Sequence, residues 1–302
     1  MITPPAWSTA LPAKATLFAD DTYFVEGWQD GERLLGRDLE AYGRTHSYLL
    51  VKPEALLLGK LPAILGWLRA NEWHVVAARE VRTNRHTLRR LWRYHWNAVT
   101  RQHKDVVDLL FAQSDSLFLL LRSATTHDEP ATQRLAAGKG PAKPAKRSTG
   151  ELRELLGNHN AYLNFVHSPD EPADLFRELA VLFDAAERAL LLDAELPPVE
   201  RVVTNVPVRT DGVGADLDSA TRHLARHCGE IAADVLAAAA DPASWTNRWG
   251  ELHERIAARD ALLANGFAFV VFATYLTTAE LPGLVRHLRT VRTAADREES
   301  RA

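Results

Sequence analysis

His46-Ser47-Tyr48-Leu49-Leu50-Val51-Lys52-Pro53-Glu54 runs from a polar start into a continuous apolar stretch and stops at a lysine and a proline. A short apolar run bounded by such residues reads as a strand buried on both faces. Working outward, Leu61–Ala70 places apolar residues at helical spacing and Trp73–Val81 reads as a second strand. Asn84 is suited to cap a basic helix over Arg85–Trp96, and a further helix closes at Leu109–Phe111. Ser116–Leu121 is a third apolar strand, and Pro130–Ala137 is a helix that stops at Gly138. Gly138–Gly150 (GKGPAKPAKRSTG) is a basic loop that Pro and Gly keep irregular. Ala161–Val166 is a fourth strand, and Pro172–Leu192 a helix with proline in its first turn. The order β-α-β-α-β-α-β-α predicts an α/β (α+β) fold, a ferredoxin-like four-stranded sheet with helices on one face.

Outside this unit the pattern is weaker. Residues 1–44 have no sustained period and hold one candidate strand, Thr22–Val25. Beyond Pro197-Pro198, Arg201–Val208 is a candidate strand, Ser219–Ala239 and Trp249–Ala264 are candidate helices, Phe267–Leu276 a buried strand and Leu281–Thr290 a closing helix. Three regions are therefore expected: an N-terminal extension at 1–44, a core domain at 45–184 and a mainly helical C-terminal region at 185–302.

Bulk composition narrows the classes. The 302 residues are 46% hydrophobic and 25% charged, as in ordinary globular proteins. A formal net charge of −3 gives no general attraction to nucleic acid or to anionic membranes. The single cysteine, Cys228, excludes an internal disulfide. The start, MITPPAWSTALPAKATLF, lacks the basic and apolar regions of a signal peptide, and the longest apolar run, FAFVVFATY, is too short to span a bilayer. The expectation is a cytoplasmic protein with neither nucleic acid nor membrane as partner.

The chemistry-bearing residues fall into an order. Tyr48–Glu54 ends a strand in Lys-Pro-Glu; Asn164-Phe165-Val166-His167-Ser168-Pro169-Asp170 ends another at a histidine; Glu178 follows His167 by eleven residues. Between them, Arg134 stands four residues before Gly138, and Arg153 follows the basic loop. Together these segments, covering roughly half of the chain, resemble the nucleoside diphosphate kinase family. In that family the first strand ends in Lys-Pro-Asp and the active-site strand reads Asn-x-x-His-Gly-Ser-Asp. The resemblance implies that His167 carries a phosphoryl group and that Glu178 orients it. It further implies that Lys52, Arg134 and Arg153 offset phosphate charge and Asn164 bonds a sugar hydroxyl. Trp92 aligns with a family tyrosine, with Tyr94 and His95 nearby as shifted candidates. ATP or another nucleoside triphosphate would be the donor, and a nucleoside diphosphate or a related phosphorylated metabolite the acceptor. Mg²⁺ would arrive with the nucleotide and take few or no ligands from the protein, and a homo-oligomer is compatible with the family. These roles suit the residue types: neutral imidazole is a good nucleophile, and cations stabilise transferring phosphate.

The departures are as informative. Ser168-Pro169 replaces Gly-Ser after the histidine and removes a backbone donor. The family's Arg-Pro-Phe-Phe clamp is missing, and Trp96–Arg101 stands in its place with Arg101 as the available arginine. A changed acceptor or a diverged activity is therefore expected. The competing expectation is a catalytically degenerate module that binds nucleotide in a regulatory or scaffold role. His223, His227 and Cys228 lie close on a predicted helix but lack an acidic partner, so no metal site is assigned there.

Overall fold

A computed structural model describes residues 1–157, 160–208 and 210–288. Its centre is a sheet of β1 (His46–Val51), β2 (Trp73–Val81), β3 (Ser116–Ser123) and β4 (Val166–His167), ordered β2-β3-β1-β4 with antiparallel neighbours. β1 pairs with β3 from His46↔Arg122 to Val51↔Leu117, and with β4 at Leu50↔His167 and Val51↔Val166. Every residue of β1 is buried, which explains its unbroken apolar run. Alternation sends Tyr48 and Leu50 into one apolar cluster and Leu49 and Val51 into another. The sheet thus carries helices on both faces, where a single covered face was expected.

The helices are α1 (Pro12–Ala19), α2 (Thr22–Leu35), α3 (Leu39–Thr45), α4 (Pro53–Leu57), α5 (Leu61–Ala70), α6 (Arg85–Leu91) and α7 (Arg101–Phe111). They continue as α8 (Ala131–Lys139), α9 (Leu152–Leu155), α10 (Pro172–Leu182), α11 (Ala185–Leu191), α12 (Leu217–His227) and α13 (Ala232–Ala240). The last are α14 (Trp249–Arg259), α15 (Ala261–Ala264) and α16 (Phe267–Tyr275). α4, α5, α8 and α9 contribute to the cluster around Leu49 and Val51. α2, α7, α10 and the C-terminal helices contribute to the other.

Several expected elements differ, each for a local reason. Thr22–Val25 is not a strand: Asp21 accepts the amides of Tyr23 and Phe24 and starts α2. Ala161–Val166 is not a strand either, because Phe165 takes a φ of +65° and leaves a two-residue β4. The helix over Arg85–Trp96 ends at Leu91. Pro172–Leu192 is broken after Leu182, where Asp184 and Glu187 form a capping box for α11. Arg201–Val208 is irregular, with Thr204 and Asn205 bonded to the Glu80 carboxylate. Ser219–Ala239 breaks at Cys228-Gly229, where Gly229 has a φ of +59°, and Trp249–Ala264 breaks at Asp260, which caps α15. Phe267–Leu276 is a helix to Tyr275, apolar all round because it is buried on every side. Residues 281–288 are irregular, and Arg289-Thr290 of that predicted helix lie outside the described residues.

The N-terminal helices pack on α10. A Cβ on Gly27 of α2 would lie 2.1 Å from the Phe176 carbonyl oxygen, so only glycine allows this approach. Buried ion pairs join the two: Lys14 to Asp174 (2.5 Å) and Glu171 (2.8 Å), and Arg177 to Asp21 (3.1 Å). Among the described residues no helix is long and apolar enough to cross a membrane.

Candidate active site

His167 is the second residue of β4, on the strand edge beside Leu50. The strand is anchored by a kink at Phe165. A buried non-glycine residue at positive φ is strained and persists only when its surroundings fix it. Here the Lys52 amide donates to the Phe165 carbonyl (2.9 Å) and the Phe165 amide donates to Glu54 Oε1 (3.1 Å). The Lys-Pro-Glu turn after β1 therefore sets the direction in which His167 leaves its strand.

The imidazole lies between a carboxylate and an indole. Its Nε2 meets Glu178 Oε2 at 3.0 Å, and Trp92 Nε1–H points at its Nδ1 from 3.4 Å. An indole nitrogen can only donate, so Nδ1 is assigned the lone pair and Nε2 the proton. Glu178 lies on α10, where Tyr48 Oη also donates to Oε2 in a short bond. Burial pushes the Glu178 carboxyl up, but His167 and the Tyr48 hydrogen bond outweigh it and hold the group below the usual carboxylate range. Burial, with Glu178 beside it, raises the Tyr48 phenol well above normal, so it stays a donor.

His167 opens on a cleft of about 450 Å³. Lys52, Lys139, Lys143, Lys146, Arg153 and Arg286 line it against the acidic Asp170 and Glu280 alone, which makes it a site for an anion. Lys52 is buried, and burial lowers its ammonium although Glu54 Oε1, at 2.9 Å, pulls the other way. Lys139 Nζ donates to Ser168 Oγ (2.6 Å) and to the Ser168 carbonyl (3.2 Å), beside His167. Arg153 donates to the carbonyls of Gly140 (2.8 Å), Asn164 (3.0 Å) and Val166, and to Asn164 Oδ1 (3.1 Å). It thus ties the basic loop to the strand that carries the histidine. Trp92, Trp96, His95, His103 and Tyr162 form an aromatic side of the same cleft, and burial depresses His95 to about 4 and His103 to about 3.

The family profile described as nucleoside diphosphate kinase matches residues 45–188. This chain carries a diverged nucleoside diphosphate kinase domain. Among solved structures, the chain is similar to an NDP kinase from Pyrobaculum aerophilum at 16% identity, over 46% of this chain and 96% of that one, with a TM-score of 0.40. It is similar to the Aquifex aeolicus nucleoside diphosphate kinase at 18% identity, over 47% and 97%, again with a TM-score of 0.40. A third is a halophilic nucleoside diphosphate kinase from Halobacterium salinarum in complex with CDP, at 19% identity over 52% and 93%, TM-score 0.40. No curated protein matches the chain.

Within this kinase-family domain, the structure brings His167, Lys52, Arg153, Asn164 and Trp92 to one cleft, with Glu178 directly behind the histidine. It does not bring Arg134 there. That guanidinium donates to Ser123 Oγ (2.7 Å) and lies over the Trp73 ring, because Arg134 faces the end of the sheet rather than the histidine strand. Arg101 is also outside: its side chain is 89% exposed and pairs with Asp105 in the next helical turn. Lys139, Glu54 and Tyr48 were the residues that motif reasoning passed over. The Lys-Pro-Glu sequence pointed to Glu54, but only as a departure from Lys-Pro-Asp; nothing local distinguished Lys139 from the other lysines of its loop.

Proposed function

We propose that this protein is a phosphotransferase that moves the γ-phosphoryl group of a nucleoside triphosphate through phospho-His167 to a nucleoside diphosphate or a related phosphorylated acceptor. The observation that carries the reading is the polarity of His167, which lines a cationic cleft: Nε2 is held by buried Glu178, and the lone pair stands on Nδ1 beside Trp92. In the first half-reaction the Nδ1 lone pair attacks the γ-phosphorus. The bond from phosphorus to the bridging oxygen breaks, and the diphosphate leaves with that electron pair. The ring then carries positive charge, which the Glu178 carboxylate offsets through Nε2–H. In the second half-reaction an acceptor phosphate oxygen attacks the phosphorus and the N–P electron pair returns to Nδ1. No proton is gained or lost by the protein, and the barrier is divided in two. Lys139, Arg153 and Lys52 supply positive charge where the phosphates would lie.

Mg²⁺ fits this site as part of the nucleotide, since the cleft is lined mainly by cations and offers it Asp170 and Glu280 as carboxylates. It would neutralise phosphate charge. The binding-module reading draws on one observation: the Trp92 N–H lies on the nitrogen that must attack, so the indole has to give way during transfer. Incubation with radiolabelled ATP and Mg²⁺ separates the two. The expected product is an acid-labile, base-stable phosphate on His167 that a nucleoside diphosphate discharges. Tight ATP binding with no such label in the wild type, and none lost in His167→Ala, would leave a binding module.

A further inference from the structure

One wall of the cleft comes from beyond residue 188. After α16 the chain doubles back as Thr277–Leu288 and lies along Tyr94–Thr100. Tyr162 Oη donates to the Thr277 carbonyl (3.1 Å) and Thr100 Oγ1 to that of Thr278 (2.8 Å). The Thr100 amide donates to Ala279 (3.1 Å), that of Leu281 to Ala98 (2.9 Å) and that of Leu288 to Tyr94 (3.1 Å). Val99 and Glu280 form an antiparallel bridge. This stitching places Ala279, Glu280 and Arg286 in the lining of the cleft that holds His167. Arg286 Nη2 meets Glu280 Oε1 at 3.0 Å, and Lys143 Nζ from the basic loop approaches the same oxygen at 3.9 Å. Asn97, next to Trp96, donates to the Val285 carbonyl (2.8 Å) and accepts from the His287 amide (3.1 Å), on either side of Arg286, so Arg286 stands at the aromatic end of the cleft. Arg101, on the adjoining helix, points into solvent. The arginine at this end of the cleft is therefore delivered by the C-terminal segment.

We propose that Thr277–Leu288 is a specificity wall of the cleft, and that Arg286 contacts a nucleoside di- or triphosphate on the side away from the transferring phosphoryl group. The inference rests on the reading of His167 as the phosphoryl carrier. Glu280 holds the guanidinium in place and shares the loop cation Lys143, so the wall and the loop meet around the bound molecule. A guanidinium at the aromatic end can bond a phosphate or sugar oxygen, or lie over a base that stacks on Trp96 or Tyr162.

Two measurements on Arg286→Ala, Arg286→Lys and the wild type test this, with Arg222→Ala on α12 as a control for lost surface charge. The first is the ATP concentration, with Mg²⁺, that half-saturates labelling of His167. The second is equilibrium binding of the non-hydrolysable analogue β,γ-imido-ATP, read by tryptophan fluorescence. Loss of a charge-assisted hydrogen bond raises both values about tenfold in Arg286→Ala. Arg286→Lys should fall between, and the change should lie in half-saturation more than in the limiting rate. Unchanged values in Arg286→Ala, or the same change in Arg222→Ala, overturn the wall. A wild type that binds the analogue but takes no label overturns the phosphoryl-carrier reading, while the binding arm still decides on Arg286. A wild type that neither binds nor labels overturns both.

Discussion

Replacing Gly27 with alanine tests whether the N-terminal helices set the position of Glu178 against His167. The added Cβ would lie 2.1 Å from the Phe176 carbonyl oxygen and 2.9 Å from its carbon. Real Cβ contacts do not fall below 3.0 Å, so α2 and α10 must separate locally by about 0.9 Å. Neither helix yields easily, because the buried Asp21–Arg177 pair ties the start of α2 to α10 and the buried Lys14–Asp174 pair ties α1 to it as well. Overpacking of this kind costs about 1–3 kcal/mol, partly offset by up to about 1 kcal/mol of better helix propensity. Phe176 lies two residues before Glu178 on α10, so part of the displacement reaches the 3.0 Å contact to His167. A lengthening of about 0.5 Å takes that contact beyond hydrogen-bond range. Gly27→Ala should therefore melt below the wild type and label His167 at least about tenfold more slowly, the equivalent of about 1.4 kcal/mol. Gly66→Ala is the control: it lies inside α5 with nothing within 4 Å of its added Cβ, and should melt slightly higher. Thermal melting and labelling rate decide the matter together. If Gly27→Ala melts and labels like Gly66→Ala, the packing of α2 against α10 does not govern Glu178.

Three further outcomes are expected. Glu178→Gln removes the charge that offsets phospho-His167 and should slow labelling roughly a hundredfold, with melting little altered; an unchanged rate would show that the carboxylate's charge is not used. Lys139→Ala should slow labelling by a similar factor, and Arg134→Ala far less, since only Lys139 lines the cleft; the reverse ranking would put phosphate on the other side of α8. His46 is 2% exposed, stacks on Tyr42 at 4.0 Å, and burial lowers its imidazole to about 4. Its folded-state value lies below its unfolded one, so the unfolded chain binds the extra proton. Stability from this group is then fully present above about pH 6.5 and falls by about 1.4 kcal/mol per unit as pH drops from there toward 4. His46→Phe, which also removes a buried Nε2 that has no hydrogen-bond partner, should flatten the melting-temperature profile across that window. A profile as steep as that of the wild type would assign the acid sensitivity to other groups.

β1, β2 and β3, together with α5, were legible from sequence because each is a local matter: a continuous or alternating apolar run, or apolar residues at helical spacing, between clear breakers. The order of Lys52, Asn164, His167 and Glu178 along the chain was enough to suggest the family, since each stands at a fixed distance from a strand or helix end. Other features depended on contacts between distant segments. FAFVVFATY is an almost unbroken apolar run, interrupted only by Thr274 before its final tyrosine, so its period could not separate strand from helix; burial between α7 and α12 decided that it is α16. AYLNFV has the composition of a strand, but the bond from the Lys52 amide to the Phe165 carbonyl and that from the Phe165 amide to Glu54 hold Phe165 at positive φ and leave only Val166 of it in β4. Arg134 and Lys139 are five residues apart on one helix, and only the direction in which α8 meets the sheet turns the lysine toward His167 and the arginine toward Trp73. Arg286 carries no signal in its own neighbourhood, because it reaches the cleft through backbone pairing with residues nearly two hundred positions earlier. Sequence alone determined β1, β2 and β3 and the succession of Lys52, Asn164, His167 and Glu178, since periodicity and spacing are properties of neighbouring residues. Which cations line the cleft beside His167, and what closes it, the tertiary structure decided, because side-chain direction and long-range pairing exist only once the elements have packed.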